Sequence, residues 1–208
     1  MEALAPAAST MFRLRDETSE LLRLVENELD LFGSSTSWLD YRLYLFRMYG
    51  FHATAERALA ARRELATVIG DAALRNHKVA LISHDLVALG VDRRDLAQLP
   101  RITAPVLAGL PEAVGWMYVL EAATLHGKRL ARHLAPQLPL EIETASGYLN
   151  CYGAEVAARW QAFGHAVDAY AIDAGTEDRI VLAARDCYLR LHRWLRPAAV
   201  VKPPALQA

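Results

Sequence analysis

The sequence predicts an all-α single domain, and three observations carry that expectation. Apolar residues recur at spacings of three and four along most of the 208 residues. No stretch shows the apolar/polar alternation of a half-buried strand, and Gly and Pro fall mainly near the ends of the periodic segments. With 53% apolar and 23% charged residues the chain can fill one core, and neither a repeat nor a linker divides it.

Residues 1–10 are Ala/Pro-rich and read as a disordered arm, with neither the basic start nor the apolar run of a secretory signal. A first helix carries Leu14, Thr18, Leu21, Leu22, Val25 and Leu29 on one face and should end near Gly33. The hydroxyls of Ser34 to Ser37 can cap a second helix, whose apolar face is Trp38, Tyr41, Leu45 and Met48. Gly50 predicts a bend or short break there, after which Phe51, Ala55 and Leu59 resume the period. Ala72 to Leu89 is a further helix closed by Gly90. The proline-rich stretch Val91 to Pro111 is a connection. Pro111 opens a central helix that runs to about Leu134, ahead of Pro136 and Pro139. Gly147 to Tyr170 reads as one amphipathic helix, and Thr176 starts the last. The tail after Pro197 is again Pro/Ala-rich and expected to be loose, so the domain spans residues 11–196 with a flexible 197–208.

A net charge of -1 leaves no basic excess for nucleic acid. Two cysteines, Cys151 and Cys187, are too few for a disulfide framework or a thiolate metal site and read as buried small hydrophobes. No apolar run reaches the roughly 18 residues of a membrane span, so a cytoplasmic protein is expected. Phosphate-binding glycine loops, a nucleophile elbow, a zinc-binding His-Glu-x-x-His and paired Glu-x-x-His motifs are all absent from the sequence.

The chain is organised around Trp116 to Arg129, an apolar run that passes through Ala122, Ala123 and Thr124 to His126 and Gly127 and ends in a basic cluster. A glycine in mid-helix costs roughly 1 kcal/mol relative to alanine, which implies a local purpose. That purpose is either close packing of a neighbouring segment or a flat ligand lying across the helix. Of seven histidines only His126 adjoins the small residues, which makes it the candidate metal ligand. Trp116, Trp160, Tyr118 and Tyr188 read as core, with the two hydroxyls at its edge.

The order and spacing of several patterns resemble the bacterial branch of the biliverdin-producing heme oxygenases, over about residues 11 to 196. They are Leu14-Arg15 to Thr18 and Glu26, Tyr44 with Tyr49-Gly50-Phe51 and Glu56, and Asp85-Leu86 with Leu89-Gly90. Tyr118-Val119-Leu120-Glu121 through Gly127, and Tyr152-Gly153 with Trp160 and Phe163, complete the series. The resemblance implies a helical bundle in which heme lies between the first helix and a kinked distal helix. It also implies a histidine ligand on the first helix, electrons from a ferredoxin or reductase, and oxygen-dependent opening of the ring to biliverdin. It places Leu22, Tyr118, Ala122, Ala123, His126 and Gly127 in the heme pocket.

The chain departs from that pattern at its centre. Leu22 stands where the ligating histidine falls, four residues after Thr18 and four before Glu26. Of the distal glycines only Gly127 remains, with His126 beside it. Three arrangements follow: His126 ligates heme from the distal helix; the pocket takes a bilin, which needs no axial ligand; or the fold serves as a non-catalytic module for a protein partner. His52, at the expected bend, and His84 are the candidates for an ordinary arrangement with another histidine; otherwise they read as a partly exposed loop residue and a surface residue. Arg15, Lys128, Arg129, Arg132 and Arg185 are the cations available for heme propionates.

Overall fold

The computed structural model describes residues 9–29 and 31–196; the expected N-terminal arm, apart from Ser9 and Thr10, and the expected tail lie outside them. Nine α-helices and two 3-10 turns follow one another, with no strand among the described residues. Helix α1 spans Thr10–Leu29, α2 Trp38–Ala60, α3 Ala72–Arg75, α4 Lys78–Ala88 and α5 Arg93–Leu96. The long α6 is Leu110–Leu134, followed by α7 Pro139–Thr144, α8 Val156–Tyr170 and α9 Ala174–Leu195. No described helix is long and apolar enough to cross a membrane.

Helix starts follow local chemistry. Ser9 Oγ accepts the Phe12 amide at 3.1 Å at the head of α1. Ser37 and Asp40 form a reciprocal capping box at the head of α2, and Asp173 accepts the Thr176 amide at 2.9 Å to start α9. That cap sets the start of α9 at Ala174, two residues before the position expected from the sequence.

Helix α9 packs between α1 and α6, and α2 packs on α4. The crossing of α6 and α9 is close because Gly115 lacks a side chain: a Cβ there would collide with the Ile180 carbonyl. Trp116 and Phe51, each 1% exposed, stack with ring centroids 6.1 Å apart and join α6 to α2.

Three expectations are corrected. Gly50 does not break α2, which is helical from Trp38 to Ala60; the glycine instead admits the Pro100 carbonyl, and the Gly50 carbonyl accepts from Ile102 N–H at 3.3 Å. The stretch Ala72 to Leu89 is two helices, parted at Asn76 and His77. Gly147 to Glu155 is not helical but a run of turns and a 3-10 turn, so α8 begins only at Val156. Asp85 causes the last difference, its carboxylate accepting the Gly147 and Tyr148 amides at 2.9 and 2.8 Å and holding that chain out of a helix.

Candidate functional site

The back of α6 is fixed by buried charge. Glu121, 1% exposed, accepts from Arg75 Nη1 and Lys78 Nζ, each at 2.5 Å, and from the Tyr152 hydroxyl at 3.0 Å. Arg75 and Lys78 are themselves buried, so three charges satisfy one another where water does not reach. Tyr152 takes a left-handed backbone, φ 67°, which costs a side-chain-bearing residue roughly 1–2 kcal/mol. Its hydrogen bonds and the cations over its ring, Arg159 at 4.7 Å and Lys78 at 5.1 Å, offset that strain.

Two residues along a helix turn the side chain by roughly 200°. With Glu121 clamped behind, Ala123 therefore faces the opposite way, toward α1. The helix runs unbroken through Ala122 to Gly127 and carries His126 and Gly127 with it. Gly127 has a packing reason as well: a Cβ there would collide with the Leu149 carbonyl of the turn segment. Of its two sequence-level purposes, the structure thus exhibits the close backbone approach directly.

Between α1 and α6 lies a small apolar inner chamber, walled by Leu22, Val25 and Leu29 on one side and Val119, Ala123 and Gly127 on the other. Tyr44 and Met48 of α2, with Tyr148, line it as well. An outer chamber continues toward the start of α1, lined by Phe12, Arg15, Tyr118, Ala122 and Trp160. Leu22, His126 and Tyr188 line both chambers and form the waist between them. Across that waist His126 Nε2 stands 3.8 Å from Glu26 Oε1 of α1.

The structure thus brings Leu22, Ala123, His126 and Gly127 to the inner chamber and Leu22, Tyr118, Ala122 and His126 to the adjoining outer one. It separates the candidate cations. Arg15 lines the outer chamber, and the Arg129 guanidinium lies 4.8 Å over the ring of Phe32, which lines the inner one. Arg185 binds back to Glu17, donating to its carbonyl at 3.3 Å. Lys128 and Arg132 line a different groove, with Ile142 and Asn150. Helical geometry explains the division, because Lys128 and Arg132 share a face turned away from α1.

His84 is exposed, and His133 binds the Gly33 carbonyl at 3.0 Å. His52 is neither exposed nor in a loop: it is 1% exposed within α2, and its Nε2 lies 2.9 Å from the Tyr148 hydroxyl. Burial, with Lys78 as the second cause, pushes the His52 imidazole down to about 3. The unfolded chain takes up a proton near pH 6.5 that the folded chain refuses down to about 3, so this group makes stability fall as pH drops through that window. The slope is at most about 1.4 kcal/mol per pH unit. Urea unfolding of wild type and His52→Gln between pH 7 and 4 should show the variant losing less stability on acidification; equal losses would contradict this account.

Tyr44, Met48 and Tyr148 escaped the sequence reading of the pocket. Their positions on a core-facing period were visible, but that period does not separate a cleft wall from solid core.

Several donor atoms line the cleft. Burial pushes the hydroxyls of Tyr44, Tyr148 and Tyr188 up, which disfavours phenolate ligation. The His126 imidazole has the stronger lone pair at the waist. No group of three His, Cys, Asp or Glu able to hold a bare metal ion occurs among the described residues. Aliphatic walls, one imidazole at the middle and a guanidinium in the outer chamber fit a flat apolar ring that carries a metal at its centre and carboxylates at one edge. Heme has that chemistry, and the residues present fit it.

The class is thus an all-α fold with an apolar cleft between two of its helices. Comparison with protein families gives the class its name. The model described as Heme oxygenase matches residues 9–197, so the chain belongs to the heme oxygenase family, whose tetrapyrrole is heme. The fold is similar to the NO- and CO-bound heme oxygenase crystal structures from Neisseria meningitidis, with a TM-score of 0.78, 21% identity and 96% of each chain covered. No curated protein sequence matches the chain significantly.

Proposed function

We propose that this protein binds heme in the cleft between α1 and α6, with His126 on α6 as the axial ligand to iron. The observation that carries the reading is the waist itself. Among the described residues, His126 is the one imidazole lining either chamber, and it lines both. On the facing wall, Leu22 has no lone pair to offer.

Bound heme supplies a redox-active iron. The protein's part is to cover the ring's faces with Leu22, Val25 and Leu29 on one side and Ala123 and Gly127 on the other, and to exclude water there. Arg15 would pair with a propionate in the outer chamber. A bilin, carrying no metal, would leave the imidazole at the waist without use, so nothing in the cleft favours it.

Hemin titration followed by absorption tests the reading. Wild type should give a saturable Soret shift, and His126→Ala should lose it or bind on the order of 100-fold more weakly, about 2.7 kcal/mol. Equal shifts in both would sink it.

Oxygen-dependent cleavage to biliverdin is the second reading, favoured by family membership and by one observation. The Tyr148 hydroxyl lines the inner chamber and is held there by buried His52, 2.9 Å away, so a fixed polar hydrogen-bonding group stands at the chamber wall. Turnover would also need an electron donor such as a ferredoxin or a reductase. A green product on adding reductant in air to the heme-loaded protein would support this reading, and a persistent Soret band would exclude it.

A further inference from the structure

We infer that Glu26 is the second axial ligand to the iron, so that the cleft grips ferric heme between an imidazole from α6 and a carboxylate from α1. The inference rests on the heme reading above and on a distance that reading does not use. His126 Nε2 and Glu26 Oε1 face each other across the cleft 3.8 Å apart. That is too far for a hydrogen bond. A first-row metal holds imidazole nitrogen at about 2.0–2.1 Å and carboxylate oxygen at about 2.0–2.2 Å, so a metal with the two in trans separates them by about 4.1 Å. The observed separation falls only a few tenths of an ångström short of that.

The sequence places Glu26 for this role. It lies four residues after Leu22 on α1, hence one turn along the same face. Leu22 cannot ligate, and Glu26 is the next residue of that face able to reach the waist. Both side chains are partly open to the cleft, Glu26 at 32% and His126 at 36%, and neither makes a hydrogen bond that ligation would have to break. Ser9, Arg15, Tyr118, Trp160, Tyr188, Tyr44 and Tyr148 are the other polar side chains lining the chambers, and no ion pair joins Arg15 to Glu26. A carboxylate is a hard, anionic donor. It favours the ferric over the ferrous state and fills the site that an external ligand would take.

The test is cyanide binding and the ferric/ferrous potential of the heme-loaded protein, in wild type, Glu26→Gln and Glu26→Ala. If Glu26 holds the iron in nine molecules of ten, only a tenth are open to cyanide, so its removal should tighten cyanide binding on the order of 10-fold. The potential should rise in both variants, and added acetate should restore the wild-type ferric spectrum in Glu26→Ala. Unchanged cyanide affinity and potential in both variants, with the His126-dependent Soret shift intact, would overturn the carboxylate ligand and leave the heme reading standing. A Soret shift that does not depend on His126 would overturn both. Thermal unfolding of the heme-free variants separates ligation from damage, since Glu26 is partly exposed and its loss should leave the free protein's unfolding transition where it is in wild type.

Discussion

Glu121→Ala should lower the stability of the heme-free protein by about 3–5 kcal/mol, because it leaves Arg75 and Lys78 buried without their shared counter-charge. Both cations are almost fully buried, and the two carboxylate oxygens are divided between them. Arg75 keeps Asp71 as a partner at 2.6 Å, whereas Lys78 is left with the Arg75 carbonyl and the Tyr152 hydroxyl. Tyr152 would lose the acceptor of its hydroxyl, and with it part of what offsets its left-handed backbone. Urea unfolding reads the loss directly. Glu121→Gln, which keeps an acceptor but no charge, should fall between wild type and Glu121→Ala; a loss below about 1 kcal/mol in both would show that the cluster does not hold α6 in place.

Leu22→His should turn the cleft into a bis-histidine site. Position 22 lines both chambers opposite His126, so an imidazole there meets the iron from the α1 side. The ferric spectrum should become that of low-spin bis-imidazole heme, and heme should bind on the order of 10-fold more tightly, about 1.4 kcal/mol. The new imidazole would also displace Glu26, one turn away on α1, so the variant's cyanide affinity should not match that of Glu26→Ala. An unchanged ferric spectrum would mean that Leu22 does not face the iron and that the waist is not where the ring is centred.

Much of the fold was legible because local chemistry announced it. The hydroxyls of Ser34 to Ser37, Pro111 and the prolines after Leu134 mark the bounds of α2 and α6, and their amphipathic periods fill the space between. The run from Gly147 to Glu155 was not legible, because Tyr148, Val156, Trp160 and Phe163 keep apolar residues near helical spacing across it. The partner that unwinds it, Asp85, is more than 60 residues away in sequence. Gly50 misled for a related reason: a glycine in mid-helix reads as a bend, yet its use is to let the loop at Pro100 reach the α2 backbone.

At the site, the sequence located the segment around His126 and the loss of a donor at position 22. It did not reveal how Glu121 orients that segment. One signal was present: Glu121 is the lone charge in the apolar run from Trp116 to Leu125, and a charge in a buried run needs a buried partner. Which cations supply it is a matter of tertiary structure, since Arg75 and Lys78 lie over 40 residues upstream. Likewise Glu26 drew attention only as part of a pattern, because nothing in sequence spacing sets it opposite a residue 100 positions away.

The most direct test of the central claim is a crystal structure of the full chain with hemin. The account predicts the ring between α1 and α6, its iron about 2.1 Å from a ring nitrogen of His126. Iron bonded to any other histidine, or a ring lying outside the cleft that Leu22 and His126 share, would contradict it.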